Sequence, residues 1–173
     1  MKVHLLGEEV TRCINCGKDS FKVSFFIYKT PYFGDILLEV GLCSNCGYRR
    51  SDVSIINFGA PKRIVAKVVK ESDLNALVVK ASSARIFIPE LGIEVKPGPA
   101  ASGYITTIEG VLERVLDNIP SECFNEDSPC FKRVLEIKRA IKGEIAFTLI
   151  IEDPLGRSDI KGEKIEVKEE PLY

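Results

Sequence analysis

Two copies of one short pattern limit the folds open to this chain more than anything else in it. They are Cys13-Ile14-Asn15-Cys16-Gly17-Lys18 and Cys43-Ser44-Asn45-Cys46-Gly47-Tyr48. Two residues between cysteines let both sulfurs of one turn face a single ion. A second such turn completes a tetrahedron of thiolates, the closed coordination of structural zinc. Gly17 and Gly47 stand where the backbone leaves each turn in a conformation awkward for a residue with a Cβ. The N–H groups of such a turn point at sulfur and spread its charge. Cys13, Cys16, Cys43 and Cys46 are therefore predicted to hold one structural Zn²⁺. Iron bound by four cysteines is the alternative that spacing leaves open. A redox Cys-x-x-Cys is expected as a single pair in a βαβ context, and a disulfide framework needs an oxidising compartment. The one histidine, His4, is read as a solvated residue near the terminus, so no open catalytic zinc site is expected.

Around these turns the chain reads as mainly β, of the α+β class. Residues 21–28 and 36–42 are rich in aromatic, β-branched and leucine residues and flank Thr30-Pro31-Tyr32-Phe33-Gly34-Asp35, which predicts strand, turn, strand. A boundary is placed at Asn57-Phe58-Gly59-Ala60-Pro61. It divides a four-cysteine zinc ribbon, 1–60, from a β-rich domain, 61–173. Strands are expected over 63–69, 76–80, 84–88, 93–95, 145–151 and 164–167, punctuated by Gly and Pro. Two helices interrupt them, at about 106–119 and 129–142. The first opens with a capping box, Thr106-x-x-Glu109. The second starts from Ser128 as N-cap with Pro129 at its first position and ends at Gly143. Their apolar stripes are assigned to the core. Cys123 and Cys130 bracket the loop between the helices and are read as a buried thiol pair, with a disulfide or a second metal site as alternatives.

Composition excludes several functions. The 173 residues carry a net charge of −1, which gives no whole-chain case for nucleic-acid binding. Residues 1–60 hold seven Lys and Arg against six Asp and Glu, so four thiolates and one dication bring the folded ribbon to about −1. Arg49 and Arg50 offset most of the charge of the metal centre. No apolar run approaches the roughly 18 residues that span a bilayer, and no secretory apolar segment is visible, so a cytoplasmic protein is expected. No phosphate-binding loop or Ser/His/Asp set appears, and no enzyme is expected. The absence of Trp and Gln beside abundant Lys, Glu, Ile and Val is the composition of a heat-adapted proteome.

The stretches CINCGK, KTPYFGDILLEVGLCSNCGYR, VVKASSARIFIPELGIEV, YITTIEGVLERVL and FTLIIEDPLGRS together resemble the ZPR-type zinc-finger family over nearly the whole chain. The resemblance implies a zinc finger joined to a double-stranded β-helix domain with a helical hairpin. Eukaryotic members carry this unit twice; a single copy is the form expected of archaeal relatives. The resemblance also implies a binding protein whose partner is translation elongation factor one-alpha, assisted in folding by this chain as a chaperone. The alternative is a nucleic-acid-binding zinc ribbon acting in translation or transcription. Candidate partner contacts are Pro31, Tyr32 and Phe33 at the hairpin turn, since exposed aromatics dominate binding hot spots, with Arg49, Arg85 and Asp153. Each has a structural reading beside it: Tyr32 and Phe33 folding back on the ribbon, Arg85 pairing with Glu90, Asp153 capping its turn.

Overall fold

The computed structural model describes residues 3–56 and 59–172; Asn57 and Phe58, on which the expected domain boundary partly falls, lie outside the described residues. The ribbon is an antiparallel meander of β1 (Val3–Arg12), β2 (Asp19–Thr30), β3 (Gly34–Cys43) and β4 (Arg49–Ile55), in that order across the sheet. A meander returns the chain to the same end at every second turn. The β1–β2 and β3–β4 turns, which carry the cysteine pairs, therefore lie side by side. The β2–β3 turn is at the opposite end. The register from Phe21↔Cys43 to Thr30↔Gly34 covers the length of the hairpin, which at roughly 3.4 Å per residue separates its tip from the cysteines by about 30 Å.

The expected hairpin is present, but β1 and β4 go beyond the sequence reading. In β1 a bulge between Leu5 and Gly7 breaks the alternation that would have revealed it. In β4 the polar run Arg49-Arg50-Ser51-Asp52 hides a strand whose second half, Asp52 to Ile55, is buried.

The second unit has a five-stranded sheet in the order β12-β5-β10-β7-β8 and a three-stranded sheet in the order β11-β6-β9. The first is built from β5 (Lys62–Val68), β7 (Arg85–Ile88), β8 (Ile93–Val95), β10 (Phe147–Asp153) and β12 (Glu166–Pro171). The second comprises β6 (Leu77–Lys80), β9 (Tyr104–Thr107) and β11 (Asp159–Lys161). Along β10 burial alternates strictly, with Phe147, Leu149, Ile151 and Asp153 turned inward. Their apolar members join Ile64, Ala66 and Ile86 from the same sheet and Val78 and Ile160 from the other in one core. Truncating a fully buried member such as Leu149 to Ala is worth about 2–5 kcal/mol.

Two helices close this core. α1 (Ile108–Asp117) contributes Ile108, Val111 and Leu112, and α2 (Phe131–Ile141) contributes Val134, Ile137 and Ala140 as buried residues. The cap of α1 is one residue later than the capping box predicts: the Thr107 hydroxyl accepts the Gly110 N–H at 3.1 Å. Thr106 is still in β9, paired with Val78; the sheet register overrides the local pattern. α2 likewise starts at Phe131, with Cys130 rather than Ser128 as N-cap. Gly143 follows α2 in the left-handed region, as expected of a helix-terminating glycine. Cys123 and Cys130 form a disulfide, which replaces the thiol pair expected from the sequence.

The two units meet at a small seam. Val79 of β6 packs with Ile36, Val53 and Ile55 of the ribbon. Beside it the buried Asp52 carboxylate accepts the Val53 N–H at 2.8 Å and the Ser82 N–H at 2.9 Å, and the Ser82 hydroxyl donates to its second oxygen. The Ile55 N–H donates to the Arg157 carbonyl at 3.0 Å.

Candidate metal centre

Each cysteine turn is closed by the same pair of backbone bonds. Gly17 N–H donates to Cys13 O at 2.8 Å and Cys13 N–H to Lys18 O at 2.8 Å; Gly47 N–H donates to Cys43 O at 3.0 Å and Cys43 N–H to Tyr48 O at 2.8 Å. Gly17 and Gly47 have φ of 71° and 72°, the left-handed conformation that a Cβ disfavours. The four Sγ atoms lie within 4.8 Å of one another. The Cys13–Cys46 and Cys16–Cys43 sulfurs are each 3.7 Å apart. A regular tetrahedron with Zn–S bonds of roughly 2.3 Å has edges of about 3.8 Å, so the sulfurs fit zinc with little adjustment. Cys13 and Cys43 are buried and Cys16 is half-buried, while Cys46 is exposed. All four positions of the tetrahedron are taken by protein, which makes the site structural.

Polar groups around the sulfurs favour the thiolate. The N–H groups of Asn15 and Cys16 bond Cys13, those of Asn45 and Cys46 bond Cys43, and that of Lys18 bonds Cys16. Ser20 Oγ lies 3.2 Å from Cys43 Sγ, and Asn15 Nδ2 donates across to Cys46 Sγ at 3.5 Å. As free thiols the set is uneven: burial pushes Cys13 up to about 11 despite its N–H bonds. The Ser20 hydroxyl leads the interactions that bring Cys43 down to about 6. Lys18 and Asn45 join the two turns directly, Nζ to Oδ1 at 3.1 Å. The sequence pointed to the four ligands but not to Asn15, Ser20 or the Lys18–Asn45 bridge. Serine and asparagine beside cysteines carry too little signal to be singled out.

The candidate partner residues are not gathered in one place. Pro31 and Tyr32 are exposed at the hairpin tip, Tyr32 by 52%. Phe33 is half-buried against the Ile36 cluster, its N–H held by the Thr30 hydroxyl at 3.0 Å. Arg49 is exposed at the metal end and Arg85 is exposed on β7. The Arg85–Glu90 pairing is not formed: Glu90 accepts the Thr148 N–H at 3.0 Å and its hydroxyl at 2.8 Å. Asp153 is 0% exposed. Its carboxylate accepts from Ser83 Oγ and from the N–H groups of Leu155, Arg157 and Ser158 at 2.7–3.0 Å. That is a turn cap with no surface left for a partner.

Among the described residues no helix is long and apolar enough to cross a membrane. The ribbon leaves several large apolar side chains in solvent. The register puts Leu5, Phe26 and Leu38 in one rung and Val10, Lys22 and Leu42 in another on the same face, with Glu8, Ser24 and Val40 in the rung between and Glu8 ion-paired to Lys22 at 2.7 Å. Leu5, Val10, Val40 and Leu42 are all 44% or more exposed.

The family model of the ZPR1 zinc-finger domain matches residues 8–56, and that of the ZPR1 jelly-roll domain matches residues 72–171. A ZPR1-like protein of Methanocaldococcus jannaschii is 43% identical over 161 residues, covering 89% of this chain and 81% of that one. A ZPR1-like protein of Pyrococcus horikoshii is 39% identical over 162 residues, covering 88% and 73%. The zinc finger chaperone zpr1 of Schizosaccharomyces pombe is 32% identical over 139 residues, covering 74% of this chain but 30% of that one.

Proposed function

The chain belongs to the ZPR1 zinc-finger family, and from that premise we propose that it is a zinc-stabilised chaperone-type module binding translation elongation factor one-alpha and assisting its folding. The observation that carries the reading is the set of exposed apolar residues on one face of the ribbon, Leu5, Val10, Val40 and Leu42, beside a four-cysteine site at one end. Exposed apolar residues set around a polar Glu8–Ser24–Lys22 strip give a mixed surface of the kind a protein partner covers. The fission-yeast relative named as a zinc finger chaperone supports the same class of function. The near-neutral ribbon gives little hold on phosphate.

In this reading Tyr32 at the hairpin tip is a separate anchor, about 30 Å from the metal by the strand rise. The partner then lies along the hairpin rather than at the cysteines. Immobilised archaeal elongation factor one-alpha should retain the zinc-loaded chain. Tyr32→Ala should weaken retention about tenfold or more while leaving the melting temperature unchanged, because Tyr32 is exposed. Phe33→Ala is a poorer probe, since its ring packs on the Ile36 cluster. Retention unchanged by Tyr32→Ala removes the tip from the interface. Salt-dependent RNA binding in place of retention would favour the nucleic-acid reading.

A further inference from the structure

Away from the metal, a cavity of about 1120 Å³ opens in the second unit between β8, the loop 96–103, β9, α1 and the start of α2. Its floor is apolar, with Ile86, Leu91, Val111 and Val115. Four cations line it, Lys80, Lys96, Arg114 and Arg133, against the single carboxylate of Glu94. Lys96 is paired with Glu94 at 3.2 Å, and Arg133 is paired with Glu136 at 2.8 Å. Lys80 and Arg114 have no acid within ion-pair distance among the described residues. Both lie over the ring of Tyr104, Lys80 Nζ at 5.8 Å from its centroid and Arg114 at 4.4 Å.

Lys80 is the unusual member. It is only 4% exposed, and lysine is seldom buried without a partner. Its ammonium makes no hydrogen bond with the described residues. Burial lowers its pKa, and the charges of Asp52 and Asp153, acting through space, offset part of that cost. Both carboxylates are already occupied, Asp52 by Val53 and Ser82, Asp153 by its turn. Three strong donors are thus held at the wall of a half-apolar cavity with nothing to receive them. The backbone at Lys80 is closely packed: a Cβ on Gly103 would lie 2.2 Å from Asp52 Oδ1 and 3.0 Å from the Lys80 carbonyl, so the loop, β4 and β6 are in direct contact.

We propose that this cavity binds a small organic monocarboxylate, with its carboxylate on Lys80 and Arg114 and its apolar or aromatic body on Tyr104 and the Ile86–Val111 floor. Two cations over one aromatic ring beside an apolar floor supply the few polar groups on an apolar wall that small-molecule sites use. A single negative charge fits better than a phosphate dianion, because the nearby Asp52 and Asp153 charges repel a dianion more strongly.

Titration of the full zinc-loaded chain with 2-naphthoate, and with naphthalene-2-methanol as the uncharged control, tests this. Calorimetry should show the carboxylate binding at least tenfold more tightly than the alcohol. Methyl spectra of isotope-labelled isoleucine should shift at Ile86, Ile93, Ile119 and Ile137, which line the cavity, and not at Ile14 or Ile27 of the ribbon. Lys80→Met should lower carboxylate affinity at least tenfold and leave the alcohol unaffected. If that variant does not fold, the exposed Arg114→Ala carries the same readout. Equal affinity for the two probes, no shift at the cavity isoleucines, or carboxylate binding insensitive to these variants would overturn the assignment.

Discussion

At the scale of single residues, two polar groups depart from what their surroundings would favour. The Tyr48 hydroxyl, next to the second cysteine turn, is buried with no hydrogen-bond partner among the described residues. Its ring packs on Phe21 at 5.7 Å. An unpaired buried hydroxyl costs about 1–3 kcal/mol, so Tyr48→Phe should leave stability unchanged or raise it by about 1 kcal/mol in urea unfolding. A loss of stability would mean that the hydroxyl has a partner. Asp153 is the reverse case. Burial alone would raise its carboxyl, but hydrogen bonds from Ser158, Leu155 and Ser83 outweigh this and hold it below its ordinary 3.8. A carboxylate lowered in the folded state stabilises fully above its unfolded pKa, and the contribution is lost as pH falls through the folded value. Asp153→Asn should therefore cost about 1–3 kcal/mol at pH 7. The difference from the parent should shrink below pH 3.8. An equal cost at pH 7 and pH 2 would show that the charge is not what matters.

At the scale of elements, the loop between the helices is held by the Cys123–Cys130 disulfide, which closes a short ring at the N-terminus of α2. By loop-closure entropy such a ring contributes about 2–3 kcal/mol. Reduction should add two daltons to the intact mass and lower the melting temperature. An unchanged mass would return the pair to free thiols. Elements with a strong pattern of their own or clear Gly and Pro punctuation were legible in the sequence: the β2–β3 hairpin, strands at β5 to β8 and at β10, and the apolar stripes of both helices. The rest was fixed by context. β1 and β9 have weak patterns and exist because β2 and β6 supply their hydrogen bonds. Three-residue β11 is too short to show a period. The four metal ligands could be read from spacing alone. Lys80 and Asp52 could not, because a charged residue is by default placed in solvent and only the packed loop around Gly103 shows otherwise.

At the scale of the whole molecule, the metal is far from the hairpin tip yet on the same sheet as the seam. Cys43 ends β3, and β3 pairs along its length with β4, which carries Asp52, Val53 and Ile55 into the second unit. Metal loading should therefore be felt beyond the ribbon. Cobalt substituted for zinc should give the absorption of a tetrahedral four-thiolate site at one equivalent per chain, and Cys43→Ser should abolish it. Chelation should unfold the ribbon and also lower the melting temperature of the β domain, because Val79 loses its apolar cover. A β domain melting at the same temperature with and without chelator would show that the seam carries no coupling.

Asp52 makes this coupling hard to undo. Its side chain is a ribbon residue by sequence, but its acceptors are filled largely by Ser82 of the other unit. A ribbon transplanted onto a foreign scaffold would carry a desolvated carboxylate with two of its three donors missing, beside Val53 and Ile55 stripped of Val79. The finger is thus a poor cassette: lineages that rearrange this architecture would be expected to copy, move or lose it together with the β domain, as one heritable part.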